Sequence, residues 1–104
     1  MASTTAALSL DRISAASDGV VVDFAVAKRN VTMVVFPNGI VTGGLVGMQA
    51  SHDATNWVSV AVVAVDGKAV AFSSNLGAYR YWRASVTDPV KGVGSVSATF
   101  MESD

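Results

Sequence analysis

The residues of this chain that could do chemistry are few, and they lie apart. His52 is the single histidine, with Asp53 beside it and serines at 51, 59, 73 and 74, so any Ser-His-Asp hydrolase would have to be built on it. Adjacent residues of an extended strand point to opposite faces, which leaves His52 and Asp53 badly placed for one to orient the other. A solvated loop histidine is the expectation. The carboxylates Asp11, Asp18, Asp23, Asp53, Asp66, Asp88, Glu102 and Asp104 are scattered, mostly beside glycine or serine at turns. A glycosidase sets two carboxyl groups roughly 5–10 Å apart across a cleft. With one glutamate and no second domain to build a cleft, none is expected here.

Ser51-x-Asp53-x-Thr55-Asn56 puts several oxygens within six residues, the kind of ligand set that calcium uses. Only one carboxylate is among them, so the cation's charge would be poorly balanced. Asp53 and Asn56 are therefore expected to bond backbone amides in an Asx-type turn that delivers Trp57 to its place. Trp57, Tyr79, Tyr81 and Trp82 lie near Arg80 and Arg83, and aromatic faces beside arginine suit a sugar platform. The competing reading puts Trp57 and Trp82 in the core. Alternation places Trp82 with Ala84 and Val86, and Tyr79, Tyr81 and Arg83 on the other face. Arg80 falls on the apolar side, where it has to reach outward or pair with a carboxylate. The glycines match neither GxGxxG nor GxxxxGK, so no nucleotide cradle is expected. No catalytic residue, metal ligand or cofactor is assigned.

These side chains are carried by elements that read as strands. Val31, Met33 and Val35 alternate with Thr32 across 30–36, and Val96, Ala98 and Phe100 alternate with Ser95, Ser97 and Thr99 across 94–100. Residues 19–26 repeat the pattern, with Val20, Val22, Phe24 and Val26 opposed to Asp23. Pro37-Asn38-Gly39 predicts a tight hairpin into Ile40, Asp66-Gly67 a second hairpin between 57–65 and 68–73, and Asn75-Leu76-Gly77 a third break. Gly43, Gly44 and Gly47 imply a bulge, a bend or a close approach of another chain segment. Short apolar runs between regular turn signals predict an all-β antiparallel sandwich, jelly-roll or Ig-like, of about seven or eight strands.

At 104 residues and 51% apolar composition the chain fits one domain with a real core. Charged residues make up 14%, against about 25% in ordinary soluble domains, which leaves weakly protected surface and hints at partners. A formal charge of −1 and no basic cluster longer than Lys28-Arg29 supply no footprint for nucleic acid. The absence of cysteine is compatible with a reducing cytoplasm. The first eleven residues lack the basic start and apolar run of a secretory signal, and the run from Met33 to Pro37 is far short of the roughly 20 residues of a membrane helix. No membrane partner is expected. Residues 1–18, rich in Ala, Ser and Thr, read as an arm or edge strand before a sandwich at 19–104, with Leu8, Leu10 and Ile13 as its docking contacts.

Ser51-x-Asp53, Asn56-Trp57, Tyr81-x-Arg83-Ala84-x-Val86-Thr87 and Gly94-Ser95-Val96, spread over roughly residues 40–100, resemble the small β-sandwich accessory modules of tailed-phage virions. Such modules usually carry glycine after the aspartate, where this chain has Ala54, and a smaller residue where Trp82 stands. The resemblance implies a non-enzymatic virion protein made in the host cytoplasm: a capsid decoration (cement) protein that self-associates and docks on the major capsid protein or another virion protein. A trimer is the expected oligomer, because shells offer three-fold sites. The alternative is a tail- or fibre-associated module or a carbohydrate-binding one. Tyr79, Tyr81 and Arg83 are the further candidates for an interface or a glycan, and Asp53, Asn56, Trp57 and Trp82 are assigned to loop and core.

Overall fold

The computed structural model describes residues 6–75 and 77–102, which form nine strands. They are β1 (Ala7–Ile13), β2 (Ser17–Asp18), β3 (Val22–Lys28), β4 (Val31–Asn38), β5 (Val41–Ser51), β6 (Trp57–Ala64), β7 (Val70–Ser74), β8 (Tyr79–Gly92) and β9 (Ser95–Glu102). Alternate side chains of β4 and β9 are fully buried, Val31, Met33 and Val35 in one and Val96, Ala98 and Phe100 in the other. That is the period-2 expectation, and the two strands pair antiparallel along their whole length. A first sheet runs β1-β9-β4-β7; a second runs β2-β8-β5-β6, with β3 also paired to β8. The two pack face to face as a sandwich. Val46, Met48 and Ala50 of β5 and Trp82, Ala84 and Val86 of β8 line the second sheet's inner side.

The turn residues sit where expected, but their partners differ. Pro37-Asn38-Gly39 does turn the chain, with Gly39 at φ 78°. Yet β4 belongs to the first sheet and β5 to the second, so the segment crosses between layers and closes no hairpin. Asp66-Gly67 does the same between β6 and β7, with Gly67 at φ 98°. Turn chemistry sets the local backbone angles, whereas the sheet a strand joins is chosen by which apolar face it can bury. The break at 75–77 likewise leads from the first sheet to the second, with Leu76 outside the described residues. Among the described residues, consecutive strands pair with each other only at β5–β6, which the Ser51–Trp57 loop joins.

The glycines of β5 act as expected. Its pairing with β8 shifts register between Val41 and Gly43, Gly43 and Leu45, and Leu45 and Val46. Gly44 takes φ 132°, and a Cβ there would lie 3.1 Å from Val90 Cα. In β3 the expected alternation breaks. Val22 is buried and Phe24 packs on the core, but Val20 and Val26 are exposed. Asp23 Oδ1 accepts the Ala25 N–H at 2.7 Å while Ala25 takes φ 70°, so the register against β8 slips after Asp23.

The described part of the expected arm is woven into the sandwich. Residues 1–5 lie outside the described residues, but β1 pairs with β9, and β2 with β8. Ser9, 3% exposed, ties the layers together: its hydroxyl donates to the Val20 carbonyl at 2.8 Å and accepts the Ala84 N–H at 2.9 Å. The Gly19 N–H completes this seam by donating to the Ala84 carbonyl at 2.7 Å. A methyl group on Gly19 would strike the Ser9 carbonyl. At the junction of β2 and β3 the Ala84 N–H is thereby satisfied from the opposite sheet and the Ala84 carbonyl from the link between β2 and β3.

Candidate functional site

The loop between β5 and β6 is organised around one carboxylate. Asp53 Oδ1 accepts the N–H groups of Thr55 at 2.9 Å and Asn56 at 2.8 Å, and Oδ2 accepts from Asn56 Nδ2 at 2.8 Å. The Ser51 hydroxyl proton faces Asp53 Oδ1 at 2.9 Å and the Asn56 carbonyl at 2.6 Å. Ser51 Oγ in turn accepts the N–H groups of Asp53 and Ala54. These donors, led by the backbone amides of Asn56 and Thr55, hold the Asp53 carboxyl well below the usual carboxylate range. The Asx-type turn expected at Asp53 and Asn56 is present. Among the described residues no group of three or more His, Cys, Asp or Glu side chains stands close enough to hold a metal ion.

Ala54 takes φ 61° in this turn, a left-handed conformation that glycine adopts without cost and alanine does not. His52 leaves the loop and lies on the ring of Tyr79, centroids 4.7 Å apart. Together with Asp53, Asn56 and Val58 they line an open depression of ≈ 310 Å³. Because Asp53 is saturated by its own loop, His52 has no carboxylate to orient it there.

Trp82 and Trp57 part company. Trp82 is fully buried, 6.4 Å from Phe100 and edge-on to Tyr79 at 5.9 Å, and its Nε1–H donates to the Tyr79 carbonyl at 2.9 Å. The core assignment holds for Trp82. Trp57 is only half-buried and stands on the outer face of the second sheet, with the Arg83 guanidinium 4.2 Å above its ring. The core assignment fails for Trp57. It pairs across the strands with Ser51, which points away from Ala50 and Met48, and alternation along a single strand cannot say which face a partner buries.

Part of the outer face is covered by its own charges, while Leu45 and Val62 stand exposed on the rest of it. Arg83 Nε donates to Gln49 Oε1 at 2.6 Å, and its Nη2 lies 3.5 Å from Asp18, whose Oδ1 accepts the Ser85 hydroxyl at 2.8 Å. Arg80 makes the carboxylate pair expected of it, donating through Nε and Nη2 to Asp23 at 2.7 and 3.0 Å, and lies 5.0 Å over Tyr81. The Arg80 hydrogen bond, then the Ala25 amide, lower the Asp23 carboxyl, and Asp23 in turn raises Arg80. Tyr81 and Trp57 each have a guanidinium over the ring, so neither offers that face to a sugar.

The remaining candidates scatter. Tyr79 packs on the core rather than beside Tyr81, since it opens β8 where β3's register has slipped. Leu10 is 1% exposed and is core, which removes it as a docking contact, and Ile13 packs against the core. Leu8 alone of the three is exposed, at 50%. Sequence reasoning missed Gln49 and Ser9, whose partners lie 34 and 75 residues away and left no local signal.

Comparison with family models, with curated proteins and with solved structures returned no match.

Proposed function

We propose that this protein is a non-enzymatic virion structural module of a tailed phage, a capsid decoration protein that self-associates and docks on the shell. The observation that carries the reading is the Ser51–Trp57 loop. Its Ser-x-Asp…Asn-Trp residues are spent on each other, and Ala54 sits in the left-handed turn where similar phage modules carry glycine. A loop saturated in this way presents a rigid strand end rather than a reactive group. The absence of an oriented histidine and the ion-paired outer face of the second sheet support a binding module over an enzyme. Nothing favours the carbohydrate alternative specifically, since Arg83 and Arg80 occupy the faces of Trp57 and Tyr81.

Cryo-electron microscopy of particles from the phage that encodes the chain, with and without its gene, tests this reading. Extra density of sandwich size on the capsid, lost in the deletion, is the expected result. Density on the tail would move the protein to the fibre-associated alternative, and indistinguishable particles would remove the virion role.

A further inference from the structure

Of the four asparagines in the chain, Asn38 alone precedes a glycine; Val31, Trp57 and Leu76 follow the others. That order of residues carries its own chemistry. The backbone nitrogen after an asparagine, once deprotonated, can attack the side-chain amide carbon, and this makes asparagine a thermolabile residue. A side chain on the following residue shields that nitrogen, and glycine has none. Little else at Gly39 replaces the shield, since a Cβ there would meet only Gly94 Cα, at 3.5 Å.

The fold holds the two reacting groups apart. Asn38 is the last residue of β4, an extended position paired with Ser95 of β9. Its Nδ2 donates to the Ser97 hydroxyl at 3.0 Å, and that oxygen also accepts the Arg12 N–H of β1 at 3.0 Å. The side-chain amide is thus drawn onto β9 instead of folding back over the Gly39 peptide. To close a ring the amide has to leave Ser97 and the main chain at Asn38 has to rotate out of its pairing with Ser95. Both happen together only when the end of β4 frays from β9.

We propose that Asn38 is a self-modification site, held shut by Ser97 and opened by fraying where the chain crosses from β4 to β5. In the open state the Gly39 nitrogen bonds to Asn38 Cγ and Nδ2 leaves as ammonia, which gives a succinimide. Water then adds at either ring carbonyl, and the ring opens to aspartate or to isoaspartate. No oxidant or reductant takes part. Both products lose the Nδ2 donor to Ser97 and gain a negative charge. Isoaspartate also adds a methylene to the main chain beside Gly94, so the clip does not re-form and the crossing between the sheets loosens irreversibly.

Four proteins test the proposal: the parent, Ser97→Ala, Ser97→Thr and Asn38→Gln, each checked for folding by a thermal melt. They are incubated at mildly alkaline pH with and without urea, and the gain of one mass unit is placed on the sequence by peptide fragmentation. In urea, Asn38 should be the first asparagine converted in the parent and in both Ser97 variants. In the folded parent the conversion should be slower by about tenfold or more, because it waits on local opening. Folded Ser97→Ala should react about fivefold faster than the folded parent, the equivalent of one ordinary hydrogen bond, and Ser97→Thr, which keeps the hydroxyl, at the parent's rate. Asn38→Gln, whose longer side chain closes a ring far less readily, should gain no mass at that position. A folded parent that reacts as fast as the unfolded chain, an unfolded chain that converts Asn30 or Asn56 first, a Ser97→Ala variant no faster than the parent, or a Ser97→Thr variant as fast as Ser97→Ala would each overturn the proposal.

Discussion

Replacing each tryptophan in turn separates the one that holds the core from the one that dresses the surface. Trp82 is fully buried between Phe100 and Tyr79, so Trp82→Ala should cost about 3–5 kcal/mol, the usual range for deleting a buried large aromatic. The variant also leaves the Tyr79 carbonyl without the Nε1–H donor it has at 2.9 Å. Trp82→Phe keeps most of the ring volume but loses that donor, and should cost about 1–2 kcal/mol. Trp57 is half-buried under Arg83, and losing its contact area and the guanidinium stack should cost only about 1–2 kcal/mol. A domain of this size holds roughly 5–15 kcal/mol in total, so Trp82→Ala should be barely folded while Trp57→Ala melts a few degrees early. Urea titrations at matched protein concentration, read by far-ultraviolet circular dichroism, measure the difference as midpoints at constant slope. Equal losses for the two alanine variants would refute the division into core and surface, and so would a Trp82→Phe variant as stable as the parent.

Two further predictions concern the β5–β6 loop and the left-handed positions. Because Asp53 is depressed in the folded state, its contribution is present above the unfolded carboxylate value of about 4 and is lost as the pH falls below it; a melting-temperature profile that is as steep for Asp53→Asn as for the parent in that range would contradict the loop assignment. Ala54→Gly should raise stability by up to about 1 kcal/mol by relieving a left-handed alanine. Gly92→Ala should lower it by about 2 kcal/mol or more, since Gly92 has φ 103° and a methyl group would lie 2.5 Å from the Ile40 carbonyl. Denaturant midpoints that reverse this order would show that the backbone angles at these positions are not as described.

Much of the site and fold was legible because the signals are local. Asp53 and Asn56 organise a turn with donors three residues away or fewer. Val31, Met33 and Val35, like Val96, Ala98 and Phe100, bury every second side chain because the pleat has a period of two whatever lies opposite. Trp82 follows from the same count, with Ala84 and Val86 on its face. The glycines of β5 announced irregular pairing because a run without side chains is seldom needed for anything else.

What only the tertiary structure decided is which surfaces meet. Pro37-Asn38-Gly39 and Asp66-Gly67 specify backbone angles and not a pairing partner, so the same turns that read as hairpins carry the chain from one sheet to the other. Residues 7–13 read as a weak pattern because Leu10 is buried only once β9 lies beside it and Ser9 reaches Ala84 across the layers. Trp57 belongs to the surface because Arg83, 26 positions later, has a guanidinium to lay on it, held by Gln49 and Asp18. Alternation tells a strand that it has two faces, and the choice of inner face belongs to the neighbours that bury it.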